Sequence, residues 1–233
     1  MTNKESFISL TPNVAADKTP ITIFHGSPDV LKKPTYGAGR PNNDYGVGFY
    51  TTMNKELAGE WAVFWTEKDG HINEYNLDRS NLETLKLDAL DIKHWIAILM
   101  TYRKGIYKEE LTHTRIQKFT SMFGIDLTPY DLITGWRADD AFFAFVEDFT
   151  LGLLSIENLQ KAMRFGDMGV QTCLKSERAF ENLEFVASYP APASQFLSPS
   201  KERDNKARSD YRSMIRSGGA SSGLLITDIV GRD

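Results

Sequence analysis

Two short segments that run into glycine restrict the fold of this chain more than any other feature: FHGS at 24–27 and DYGVGFYTT at 44–52. In the first, Ile21, Ile23 and Phe24 lead into His25 and Gly26; in the second, Gly46 and Gly48 precede Phe49 and Tyr50. Apolar β-branched and aromatic residues stopped by glycine predict strand ends that break into turns. An apolar strand that delivers a histidine beside a glycine puts an imidazole and a free backbone face at the mouth of a cleft. A flat polar ligand can use both.

Further along, helical spacing predicts a helix over 54–65, capped by Asn54 and carrying Leu57, Trp61, Phe64 and Trp65 on one face. A strand is expected at 71–77, and a helix at 88–103, where Ile92, Trp95, Ile96, Leu99 and Met100 follow Asp91. The stretch 104–129 reads as a second helix with a loop, and 130–134 as a short strand closed by Gly135. Ala138, Phe142, Phe145, Val146 and Phe149 mark the next helix, and Ser155 caps another over 155–164; their aromatic stripes read as core. The remainder reads as a strand at 169–174, a short helix at 176–183 and a strand at 184–187. A proline- and serine-containing loop over 190–200 precedes a charged helix at 201–216, a glycine-serine turn at 218–223 and a final strand at 224–229. Strands at both ends with helices gathered between them favour α+β over a repeating βαβ layout. The expected organisation is a polar arm at 1–19 and a single domain at 20–233 with a helical insertion at about 88–164.

At 233 residues and 41% hydrophobic, the chain is long enough to bury a core. A net charge of −4 argues against broad, sequence-independent nucleic-acid binding, which needs a concentrated basic face. The single Cys173 forms no internal disulfide, and His25, His71, His94 and His113 are scattered, so no metal site is expected. No apolar run has the length of a signal peptide or a spanning helix, so the expected location is the cytoplasm, with no membrane partner. Export without a signal peptide would leave the same pattern. Phosphate-loop, dinucleotide-fingerprint, esterase-elbow and zinc spacings are all missing; Gly46-Val47-Gly48 lacks a third glycine.

Taken together, His25-Gly26-Ser27, the run Gly46-x-Gly48-Phe49-Tyr50 and the aromatic Trp61 eleven positions after Tyr50 resemble the NAD-binding half of the ADP-ribosyltransferase fold in its histidine-tyrosine class. That class includes the poly(ADP-ribose) polymerases and the diphtheria-type toxins. Tyr130-Asp131-Leu132-Ile133, the Gln171 to Glu177 step and the closing segment to Ile229 also resemble an uncharacterised bacterial group within that superfamily. Some of its members sit beside a small partner gene, as a toxin does beside its antitoxin. The resemblance implies an α+β fold with a split, mostly antiparallel sheet, NAD as co-substrate without a metal, and transfer of one ADP-ribose to a macromolecular acceptor. A small antitoxin protein is the partner it implies.

The residue types have chemical reasons in that setting. A glycine N–H and C=O bind a carboxamide, and aromatic faces sandwich a flat cationic ring; Gly26 is the candidate for the first, and Tyr50 and Trp61 for the second. His25 is expected to bond a ribose hydroxyl, as the resemblance implies for the adenosine ribose, with Ser27 and Arg40 completing the cofactor-binding set. The resemblance also implies a glutamate near the start of a late strand, and Gln171 stands there instead. A glutamine hydrogen-bonds a hydroxyl but supplies no charge, so the catalytic candidates are Gln171, Tyr50 and His25, with Asp139 and Asp140 as substitute acids. That Asp pair equally suits the start of a helix, whose dipole favours it. Ala58 stands where the polymerases hold the nicotinamide amide with serine. With Gln171 in place of the glutamate, chain elongation is not expected, and hydrolysis of NAD, or NAD binding without turnover, are the alternatives to mono-transfer.

Overall fold

The alternating run after Pro20 forms the first strand, β1 (Ile21–Ser27), and the second glycine segment forms β2 (Phe49–Thr51). The computed structural model describes residues 18–103, 110–137, 140–163, 165 and 169–231. Helix α1 (Lys55–Phe64) follows, its Asn54 cap accepting the Glu56 and Leu57 N–H groups. Then come β3 (Gly70–Leu77), β4 (Thr84–Lys86) and, after a 3₁₀ turn, α2 (Ile92–Tyr102), capped by Asp91. Helix α3 (Glu110–Phe123), β5 (Leu132–Trp136), α4 (Asp140–Thr150) and α5 (Ile156–Ala162), capped by Ser155, make up the middle of the chain. The last third holds β6 (Val170–Leu174), α6 (Glu177–Glu181), β7 (Leu183–Ala191), α7 (Ala193–Arg216) and α8 (Ile226–Val230).

The fold is α+β, with two sheets. One has the order β1-β3-β7 and the other β2-β6-β5-β4. All pairs are antiparallel except β4 with β5. The sheets meet at one bridge, where Phe24 and Thr52 exchange N–H to O=C bonds of 2.7 and 2.9 Å. Beyond it β1 and β2 diverge, and that gap is where the site forms. Within 88–164 the helices α2 to α5 flank β5, which pairs with both β4 and β6. The aromatic stripes do form core: Trp95, Phe119, Phe145 and Phe149 are fully buried in one cluster.

The structure corrects four readings. Strand β4 was not expected; Thr84 and Leu85 are its buried positions. The strand expected at 184–187 extends through Pro190 to Ala191 as an edge strand, where a missing N–H costs no ladder bond. The loop expected at 190–200 is instead the end of β7 and the start of α7, which tolerates Pro199 in its interior. Buried Phe196 fixes that first stretch of α7 against Gly59 of α1, so packing outweighs the roughly 3 kcal/mol a mid-helix proline costs. The strand expected at 224–229 is helix α8. Leu224 is hooked to α5 through its carbonyl, which accepts the Ile156 N–H at 2.9 Å, and its N–H, which meets Glu157 Oε2 at 3.0 Å. This holds the tail against α5, and Ile226 drops into the core.

Candidate functional site

Strand alternation determines what β1 offers to the gap. Phe24 spends its N–H and C=O on Thr52, on the β2 side, so Gly26, two residues on, directs its own N–H and C=O to that same side, away from β3. There β2 has already diverged. Position 26 is glycine because α1 lies directly behind it: a Cβ would stand 1.9 Å from the Ala58 carbonyl oxygen and 2.6 Å from the Ala62 nitrogen. Ala58 is fully buried under this contact, so it faces β1, while Trp61 and Ala62 face the gap.

The opposite wall comes from the second sheet. Tyr50 pairs with Cys173 across β2 and β6, and Gln171, two residues before Cys173, shares its face. Tyr50 and Gln171 therefore point to one side by register alone. Gly46, at φ 73° and against the Tyr102 ring, allows the chain to double back before β2. The Tyr50 hydroxyl closes this turn, donating to the Gly46 carbonyl at 2.7 Å and accepting the Tyr45 N–H at 2.9 Å. Lys175 Nζ donates to the Tyr45 and Val47 carbonyls, each at 2.6 Å.

Between these walls lies a cleft of about 660 Å³ that gathers His25, Gly26, Ser27, Arg40, Tyr50, Trp61 and Gln171, within the usual size range of small-molecule and cofactor sites. Of the substitute acids, Asp139 lies outside the described residues, and Asp140 begins α4. Ser27 lines the cleft, but its hydroxyl is engaged locally, donating to the Asp29 carbonyl at 2.6 Å and accepting from Asn73 Nδ2 at 2.9 Å. Arg40 is exposed at the rim.

His25 has one tautomer open to it. Its Nδ1 lies 2.7 Å from the Tyr50 carbonyl, an acceptor, so Nδ1 carries the proton and Nε2 keeps its lone pair. Burial pulls its pKa below the ordinary value, against the Tyr50 carbonyl bond, which raises it. The neutral ring packs against Phe49, tilted by 38° with centroids 4.4 Å apart. The Tyr50 phenol is pushed far up, first by burial and then by its neighbours Cys173 and Asp44, so it offers a ring face and not an acid. Burial likewise drives the Cys173 thiol up to about 12, so it is no nucleophile.

Trp61 and Tyr50 both line the cleft. One face of Trp61 already carries the Arg137 guanidinium, 4.9 Å from the ring centroid. Its indole Nε1 is buried without a hydrogen-bond partner among the described residues.

Four residues in or beside the site escaped the sequence reading. Asp44, 3% exposed, lines the cleft, accepts from Gln171 Nε2 at 2.7 Å and is ion-paired with Arg103. It opens the DYGVGFYTT segment, and that position was its only signal. Arg103 joins Arg40 and Arg137 in the lining, a cationic set in a chain of net charge −4. Buried Asn73 of β3 accepts the Leu31 N–H at 2.9 Å besides bonding Ser27, and so pins the loop after β1. Among the described residues no group of three or more His, Cys, Asp or Glu could hold a metal ion, and no helix is long and apolar enough to cross a membrane.

Fold and site together define an α+β domain with a polar, aromatic-lined cleft where two sheets part. The chain belongs to the family described as protein of unknown function (DUF3990), whose model matches residues 21–185. Comparison with curated proteins and with solved structures finds no match.

Proposed function

We propose that this protein is a NAD-dependent mono-ADP-ribosyltransferase acting on a macromolecule. The observation that carries the reading is Gly26: its N–H and C=O are directed into the cleft beside the faces of Tyr50 and Trp61, the set a nicotinamide carboxamide and ring require. Neutral His25 presents Nε2 to a ribose hydroxyl, and Arg40, Arg103 and Arg137 suit the diphosphate. Gln171 gives both amide hydrogen bonds through Nε2, to Asp44 and to the Trp136 carbonyl at 3.3 Å, which leaves Oε1 to accept from the nicotinamide ribose.

In the reaction the glycosidic bond between ribose C1′ and the nicotinamide nitrogen breaks, and its electron pair leaves with the nitrogen, neutralising the ring. A lone pair from the acceptor then forms the new bond at C1′, and the acceptor's proton passes to solvent. The cleft's part is to hold the ring, orient the ribose and stabilise the positive charge that develops at C1′. Gln171, standing where an acid was expected, favours one alternative, NAD binding without turnover; water in place of the acceptor makes the reaction a hydrolysis. The same transfer in a producing cell would make the protein toxic unless a small partner protein neutralised it.

The test is incubation of the purified protein and a cell lysate with NAD labelled on the adenylate side, alongside Tyr50→Ala. The expected result is nicotinamide release and a labelled protein or nucleic acid, both lost with Tyr50→Ala. Nicotinamide release with no labelled macromolecule assigns hydrolysis. Absence of binding at millimolar NAD sinks every NAD reading.

A further inference from the structure

We propose that Asp44 is the site's carboxylate and works through Gln171, so that the charge expected at position 171 is supplied from the loop before β2. This rests on the NAD reading above. A carboxylate is costly to bury unless it is paired and hydrogen-bonded, and Asp44, at 3% exposed, is buried at the cleft and not in the core. Its partners, Gln171 and Arg103, also line the cleft.

The segment that carries it is tied down on several sides. The Tyr45 N–H goes to the Tyr50 hydroxyl, the Tyr45 and Val47 carbonyls to Lys175, and the Tyr45 hydroxyl donates to the Trp136 carbonyl at 2.8 Å. The carboxylate is thus held in place before any ligand arrives, which is the condition under which a fixed charge lowers a barrier. Two acceptors, Asp44 Oδ2 and the Trp136 carbonyl, claim Gln171 Nε2 and so determine which way its amide points. An anion at Nε2 polarises the amide and makes Oε1 a stronger acceptor, as bonds in a chain reinforce one another.

In the reaction, Gln171 Oε1 accepts a hydrogen bond from the 2′-hydroxyl while the C1′–N bond breaks and its electron pair leaves with nicotinamide. No proton is transferred. The Asp44 charge lies behind the amide and offsets the positive charge growing at C1′. Gln171 touches the substrate; Asp44 is a positioning residue, and Arg103 holds it.

The experiment compares the wild-type chain with Asp44→Asn, Gln171→Ala, the double variant Asp44→Asn/Gln171→Ala and the exchange Asp44→Asn/Gln171→Glu. NAD affinity is read by calorimetry, nicotinamide release by single turnover and folding by thermal melting. Asp44→Asn is expected to slow release about 100-fold with NAD affinity held within about threefold, the size of loss seen when one preorganised electrostatic contact is removed. In the Gln171→Ala background, Asp44→Asn should add almost nothing, because the two act as a unit. The exchange keeps the hydrogen-bonded pair with its polarity reversed and returns one carboxylate, so release should recover at least about tenfold over Asp44→Asn. A residue that only braces the loop would not be rescued in this way.

Release by Asp44→Asn within about threefold of wild type overturns the inference and leaves the NAD reading standing. If Asp44→Asn melts out, the exchange variant decides: folded and binding NAD yet no faster than Gln171→Ala, it overturns the inference as well. A wild-type chain that binds no NAD removes both.

Discussion

The two walls of the cleft are built differently. On the β1 side, geometry comes from backbone packing: Gly26 lies against the Ala58 carbonyl with no space for a methyl, and its peptide groups face the cleft because strand alternation puts them there. On the β2 side, geometry comes from side chains. Lys175 ties two carbonyls, Tyr50 closes the turn at Gly46, and Asp44 is held by Gln171 and Arg103. A wall of packed backbone is stiff and fails all at once; a wall of polar contacts can be loosened one contact at a time. The first suits capture of a ligand group of constant shape, and the second suits fine placement of charge.

The largest expected effect is on the packed wall. Gly26→Ala drives a methyl into the α1 backbone, where no flexible side chain can yield. Overpacking of this kind costs about 3 kcal/mol or more, so urea unfolding should show a midpoint well below wild type. A Gly26→Ala chain as stable as wild type would show that the wall is not rigid.

On the polar wall the effect is smaller and local. Lys175→Met removes two charge-assisted bonds to the Tyr45 and Val47 carbonyls while keeping much of the side-chain volume. A loss of about 2 kcal/mol is expected, together with faster hydrogen exchange at the amides of 44–48. Unchanged exchange there would mean that Tyr50 alone holds the turn.

The smallest effect concerns His25, which sits where the walls meet, and it is one of pH. Its pKa in the folded protein is below the ordinary 6.5, so the neutral ring is the form the fold favours. The stability it contributes is fully present above pH 6.5 and is lost as pH falls through the lowered folded value. Protonation also removes the lone pair on Nε2, so NAD affinity should stay level down through pH 6.5 and weaken only as pH falls to the lowered folded value. The same acid limb in His25→Asn would assign the titration to another group.

Much of the site was legible from residue order. The glycine-terminated strands, the Asn54 cap and the placement of Trp61 on the following helix all follow from local rules of alternation and capping. Other parts were not. Asp44 was only the opening residue of the second glycine segment, and its bond to Gln171 spans 127 positions. Asn73 lies within the strand expected at 71–77 and nothing local marked it, yet it secures the loop after β1 from the neighbouring strand. The segments 190–200 and 224–229 were misread for one reason: short proline-containing or apolar runs carry little periodic signal, and contacts to Gly59 of α1 and to Glu157 of α5 decided their form.

Local chemistry alone was enough for the α+β character, most of the helix and strand positions, and the pairing of a His-Gly strand end with a Gly-x-Gly-Phe-Tyr turn. Those features depend on φ/ψ preference and on side-chain periods of two and 3.6, which operate within a few residues. The tertiary structure decided that the two segments share one cleft, that the peptide groups of Gly26 face it, and that Gln171 is hydrogen-bonded to the buried carboxylate of Asp44. Each of these is a distance between residues far apart in the chain, set by the packing of two sheets and α1, and no local pattern encodes such a distance.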